Sequence, residues 1–294
     1  MAKDKRPLMA YLKVQEQHER EMLTILKRAS ARVNIELKTL EARSGIGAAV
    51  RRDQLRLSQS AIKAEIGNLW ELMGSQIMAD RSKAAAAASN VMTDYDAMLL
   101  NAVMSKTDAA VLRRAAVVSA QRSLGVAESR VLGLSRIPLS ERVYNSKQLV
   151  TGQLDRIIEN GLARGVSARE LANDVRGFIN PNTSGGVKYA AQRLARTELN
   201  NAFHATTIRQ SVKAPWVTKM RWNISGSHPR PDECDDYADI GLYTPVEVPA
   251  KPHPQCLCYV IPETVDVPTF VKEFNAGSYS AYTNRLLAGE SVSF

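Results

Sequence analysis

The sequence predicts a mainly α-helical protein with one small α+β module near its carboxyl end. Aromatic residues make up only 6% of the 294 residues, while alanine, leucine, arginine, glutamine and serine are plentiful; such a composition favours helices over sheets. Apolar residues recur every three to four positions over long stretches of the first two thirds, the period of an amphipathic helix. Only residues 216–224 alternate with a period near two, the pattern of a strand. A hydrophobic fraction of 45% supports a real core, in one large domain or two to three small ones.

The first helix is expected over about Leu8 to Glu41, with Leu8, Leu12, Met22, Leu23, Ile25, Leu26, Val33, Leu37 and Leu40 on its apolar stripe. Ser44, Gly45 and Gly47 then suggest a hinge, because glycine in a helix interior costs about 1 kcal/mol against alanine. A second helical stretch follows from about Ala48 to Ser105, interrupted near Gly74, and its Ala84–Ala88 run allows close approach of a neighbouring helix. Asp108 is placed to N-cap a third helix reaching about Leu124. Gly125, Gly133 and Pro138 mark a connection, with a boundary near 135. Beyond it a helix through Leu149, Leu154, Ile158 and Leu162 is expected to stop at Gly161 and Gly165. Ser167 and Glu170 have capping-box spacing for the next helix. After the loop 180–186, one helix should run from Tyr189 to about Ser211, ending before Pro215. Two short strands, 216–224 and 257–261, and a helical tail from Val267 to Leu287 complete the reading. The chain thus divides into an elongated basic helical region (1–135), a central helical domain (136–214) and a small Cys/His module with a helical tail (215–294).

Charge is uneven along these regions. Residues 1–125 hold 20 Lys/Arg against 13 Asp/Glu, residues 126–213 hold 13 against 7, and residues 214–294 hold 6 against 10, giving +7, +6 and −4 within a total of +9. The basic part points to contact with a polyanion such as DNA, or else to an ordinary solvated basic surface. Met1 to Lys5 are charged and no apolar core follows, so no secretory signal is expected. Membrane spanning is excluded too, since even Val111–Ala120 contains Arg113 and Arg114. A soluble protein made in a cytoplasm fits these features.

The three cysteines lie between 234 and 258, an odd and local set unsuited to a disulfide framework. Cys256 and Cys258 are two apart, so on an extended segment both thiols face the same way, with α-carbons about 6 to 7 Å apart. His253 is held between two prolines three residues earlier, and Cys234 can return from the preceding loop. Cys234, His253, Cys256 and Cys258 form a Cys3His set suited to tetrahedral zinc, with sulfur at about 2.3 Å and nitrogen at about 2.0–2.1 Å. His228 is an alternative or additional ligand and Asp232 a weaker oxygen ligand. Two other readings remain: reduced thiols that merely pack, and a disulfide from Cys234 to Cys256 or Cys258.

These residues also carry a resemblance. Arg196-Thr197-Glu198 on a helix, a tryptophan-bearing strand, Ser227-His228-Pro229 with Asp232-x-Cys234-Asp235, and Pro252-His253-Pro254-x-Cys256-x-Cys258 resemble the phage Mu F-like minor head proteins, the head morphogenesis family, over roughly residues 140–262. Relatives have Cys-x-x-Cys where this chain offers His228 and Cys234, which leaves the ligand set open. The resemblance implies a structural virion protein, not an enzyme, present in several copies in the head interior or near the portal. It would be made in the host cytoplasm and act with the portal protein and major capsid protein, with packaged DNA as a further contact. Lysine and arginine of the basic region would then replace condensed counterions. The alternatives are a metal-dependent nuclease built on His228 and His253, a catalytic pair at Arg196 and Glu198, and a free-standing nucleic-acid-binding protein. No Gly-rich phosphate loop or Ser/His/Asp arrangement is evident.

Overall fold

The computed structural model of the chain describes residues 4–44, 52–122, 139–182, 185–226 and 231–288. The fold is mainly α, with nine helices among the described residues and a three-stranded antiparallel sheet near the carboxyl end. The helices are α1 (Arg6–Ser44), α2 (Arg52–Val103), α3 (Lys106–Arg122), α4 (Leu139–Ala163), α5 (Ala168–Ile179), α6 (Gly186–Lys213), α7 (Glu233–Ile240), α8 (Val267–Asn275) and α9 (Ser280–Leu287); the strands are β1 (Val217–Asn223), β2 (Leu242–Tyr243) and β3 (Tyr259–Thr264). No helix of the described residues is long and apolar enough to cross a membrane.

Helix α1 buries one narrow stripe, whereas α2 buries a broader face that takes in Trp70, Ala85, Ser89, Val91, Asp96 and Leu100 beside its main row. Along α1 the buried positions are Tyr11, His18, Met22, Leu26, Ala29, Val33, Leu37 and Leu40, steps of three and four beyond His18 that keep one face inward. In α2 the stripe runs through Ile62, Ile66, Leu69, Met73, Ile77, Ala84, Ala88 and Met92. The break expected near Gly74 does not occur. A β-carbon there would lie 3.3 Å from Val143 Cγ1, so this glycine serves a close approach of α4 instead of a kink.

The chain packs as two compact units, one drawn from Met1–Gln15, Ala79–Arg136 and Thr197–Phe294, the other from Glu16–Met78 and Ile137–Arg196. These do not follow the linear order of the three regions read from sequence. Helices α1 and α2 contain 39 and 52 residues, roughly 58 and 78 Å at 1.5 Å per residue. The expected boundary near 135, with Gly125, Gly133 and Pro138, lies outside the described residues, as do Gly45 and Gly47.

Several helix ends differ from expectation. Ser105, not Asp108, caps α3: the Asp108 N–H donates to Ser105 Oγ at 3.1 Å, which places Asp108 in the first turn. Helix α4 passes through Gly161 and stops at Gly165, whose φ is 66°; Val166 N–H donates to Gly161 O and Gly165 N–H to Leu162 O, the paired bonds of a Schellman end. Gly161 is needed for packing, since a β-carbon there would sit 2.8 Å from Leu171 Cδ1. Ser167 caps α5 as expected, accepting from Glu170 N–H at 3.2 Å, while the Glu170 carboxylate pairs with Arg164. The tail divides into α8 and α9 where Gly277 takes a left-handed φ of 81°.

The sheet order is β2-β1-β3, all antiparallel. Its register shifts between Val217 and Lys219, a bulge that leaves Thr218 and Lys219 both exposed. That extra residue explains the imperfect alternation of β1 in the sequence. Below the sheet Trp216 organises the core of this unit. Its indole N–H donates to Asp96 Oδ1 at 2.6 Å, and its ring meets Phe270, Tyr279 and Tyr282 edge-on at 5.1–5.5 Å.

Candidate metal centre

Cys234 reaches the site on α7, a helix absent from the sequence reading. Asp232 caps it, accepting from Cys234 N–H at 2.8 Å, and Asp235 returns a carboxylate oxygen to Asp232 N–H at 2.8 Å. The three acidic residues of its first turn, Glu233, Asp235 and Asp236, suit the positive end of the helix dipole. Cys234 is the one buried residue of this helix, so capping fixes the direction in which its thiol points.

The other groups come from the loop entering β3. Gln255 takes a left-handed φ of 61°, a conformation that L side chains disfavour by roughly 1–2 kcal/mol. Its N–H donates to Thr197 Oγ1 on α6 at 3.2 Å, and the Asn200 side-chain amide donates to the Cys256 carbonyl. Two polar side chains one turn apart on α6 thus hold the loop in its turned form. His253 and Cys256, on either side of that turn, meet Cys234.

Cys234 Sγ lies 3.6 Å from His253 Nε2 and 3.5 Å from Cys256 Sγ, and the three ligand atoms all fall within 4.8 Å of one another. This Cys/His/Cys group could hold a metal ion. His253 Nδ1 faces the Pro254 carbonyl at 3.1 Å; a proton held there leaves Nε2 as the lone-pair nitrogen that a metal requires. Asp232 Oδ2 is 3.2 Å from the same Nε2. Cys258 is buried beside the group and its thiol interacts with those of Cys256 and Cys234, though it stands outside the tight triad. His228 lies outside the described residues.

All three cysteines are free, and a sulfur separation of 3.5 Å is far beyond the roughly 2.05 Å of a disulfide. The thiols differ in character. Burial pushes Cys234 up to about 12. Hydrogen bonding with Cys256 raises Cys258, with burial adding to the rise; the same interaction, with Lys251 nearby, lowers Cys256. The Ser225 backbone amide also faces the Cys258 sulfur.

Arg196 pairs with Glu19 at 2.7 Å, and Glu198 is 2% exposed. Of the Arg-Thr-Glu segment it is Thr197 that supports the site. Sequence reading missed Thr197, Asn200, Lys251 and helix α7. Asp232-x-x-Asp235 was a legible cap signal, whereas the α6 contacts are long-range and leave no local trace. Compared with protein-family models, with curated proteins and with solved structures, the chain has no match.

Proposed function

We propose that this chain is a structural head protein of a tailed bacteriophage, similar to the Mu F-like minor head proteins, in which Cys234, His253, Cys256 and Cys258 hold one structural zinc ion. The observation that supports this best is the spacing of the triad. Around zinc with sulfur at about 2.3 Å and nitrogen at about 2.0–2.1 Å, tetrahedral edges are about 3.8 Å between sulfurs and about 3.6 Å between sulfur and nitrogen. The observed 3.5 Å and 3.6 Å fit those edges, and they are made by the residues that carry the family resemblance.

Bound zinc would supply a four-way crosslink. Cys234 would tie α7, and His253, Cys256 and Cys258 the loop before β3, into one unit whose core already includes all three cysteines. Four protein ligands leave no open coordination position, so the role is structural. The protein would act with the portal protein and the major capsid protein in several copies per virion. Its basic first two thirds would contact packaged DNA through phosphate neutralisation.

The test is co-purification. Infected cells should yield the protein in virions and in portal-containing procapsids, and a null allele should stall head assembly. Recovery of the protein away from heads, or metal-dependent strand cleavage that His253→Ala abolishes, would overturn the proposal in favour of a nucleic-acid enzyme or a free binding protein.

A further inference from the structure

The end of α7 and the edge strand that follows it show apolar side chains to solvent. Ile240, Leu242 and Val246 are 64%, 43% and 75% exposed. They follow one another along the last residue of α7, strand β2 and the turn Thr244–Glu247, which the Glu247 N–H closes on the Thr244 carbonyl. Charge of one sign surrounds them: residues 231–250 contain six carboxylates and no lysine or arginine. Asp232 and Asp235 are taken up by the cap of α7, whereas Glu233, Asp236 and Asp239 are exposed and form no ion pair among the described residues. An exposed apolar group with a charged rim marks a protein contact. Strand β2 has only two residues, too short an edge to template a partner's strand, so side chains of a helix fit this face better.

Helix α3, in the same compact unit, has the complementary character. It holds Lys106, Arg113, Arg114 and Arg122 against the single acidic residue Asp108. Ala109 and Leu112 bury one of its faces. On the other side Val111 and Val118 are 48% and 43% exposed. Seven residues at about 100° each return to within about 20°, so the two valines make one stripe roughly 10 Å long. Arg114 lies between them on that side, exposed and without an ion pair among the described residues. Phosphate would match Arg114 but leave both valines in water, whereas an acidic face with an apolar centre matches all three.

We propose that the α7–β2 face of one copy receives the exposed stripe of α3 from a second copy of this chain. Ile240, Leu242 and Val246 meet Val111 and Val118 at the centre, and Arg114 meets the carboxylates of the rim, where opposite charge fixes register and excludes other pairings. Each chain carries one face and one stripe, so the contact is heterologous: a bound copy still offers its own free face to the next, and the assembly extends to a ring or a row. The proposal goes beyond the zinc and virion readings and rests on neither, because both surfaces follow from exposure and charge.

The experiment is sedimentation velocity of the full-length chain over a concentration series, for the wild type and two double variants at exposed positions: Ile240→Lys with Val246→Lys, which spoils the face, and Val111→Glu with Val118→Glu, which spoils the stripe. The wild type should form species larger than one chain that grow with concentration and shrink as salt is raised from about 0.1 to about 0.5 M. Each variant alone should associate at least about 10-fold more weakly, with the helix content of the wild type by circular dichroism. Mixed in equal amounts, the two variants should form a complex of two chains and nothing larger, since the mixture holds one intact face and one intact stripe. Arg114→Glu by itself should weaken wild-type association about 10-fold. A wild type that stays monomeric throughout would overturn the proposal and assign the face to a different partner. Loss of association in only one double variant would show a contact of like with like, and a monomeric mixture or an unchanged Arg114→Glu chain would break the pairing of face with stripe; each overturns the proposal and leaves the zinc reading untouched.

Discussion

Asp96 should make the protein less stable as pH rises from about 4 to 7. Its side chain is 8% exposed, accepts from the Trp216 indole, and is pushed from 3.8 up to about 7, mainly by burial and against the opposing pull of Trp216 and Arg113. In that window the folded carboxyl keeps a proton that the unfolded chain has released. The stabilisation is complete below about pH 4 and is lost as pH climbs through 7, at up to about 1.4 kcal/mol per pH unit and roughly 3–4 kcal/mol in all. Asp96→Asn keeps an oxygen for the indole but cannot ionise. His204 slopes the other way: burial, with Lys251 adding to it, lowers its imidazole from 6.5 to about 3, so its contribution is lost as pH falls through that range. Comparing wild type with Asp96→Asn at each pH cancels the histidine. Urea unfolding followed by far-ultraviolet circular dichroism at pH 4, 5, 6, 7 and 8 should show the difference moving in favour of the variant by roughly 3–4 kcal/mol across the series. Unfolding free energies that stay parallel, within about 0.5 kcal/mol across the series, would refute the reasoning, because at this site only a proton held by the folded carboxyl gives the gap a pH dependence.

Further outcomes are expected elsewhere. Zinc affinity should rise by about two to three decades per pH unit near neutrality, because the protonated thiols must release protons to bind; a flat profile by chelator competition would exclude thiolate ligation. Thr197→Val should weaken zinc binding about 10-fold with unchanged helix content, by freeing the Gln255 turn that it anchors. Gly186→Ala should destabilise the chain by roughly 2–4 kcal/mol in thermal or urea unfolding, since φ is 56° and the new β-carbon would meet the Phe178 carbonyl oxygen at 2.3 Å. Gly152→Ala is its control: within α4 and with nothing inside 4 Å, it should gain about 0.5–1 kcal/mol.

The helices were legible because their burial is periodic. Met22, Leu26, Val33, Leu37 and Leu40 of α1 are all buried, as their spacing predicts, whereas Leu8, Leu12, Leu23 and Ile25 of the same expected stripe are only half-buried; β1 could be read through its bulge. The helix ends were less legible because each depends on a local bond that competes with an equally plausible one. Ser105 and Asp108 are both good caps, and Gly161 and Gly165 both look like stops until packing against Leu171 distinguishes them. The partition into units was hidden for a different reason: a contact between separated stretches has no period. In the metal centre, Cys234, His253 and Cys256 could be grouped by residue type alone. The α6 side chains that hold the loop required the tertiary fold, because they act across 56 and 58 residues of chain, whereas the helix that aims Cys234 carries a local cap signal in Asp232 and Asp235.

The most direct test of the account is elemental analysis of the purified full-length chain, with and without prior chelation. One zinc per chain, lost with chelator together with cooperative unfolding of the sheet and α7, is the predicted result. A metal-free chain with the same unfolding transition and the same sheet signals would contradict it.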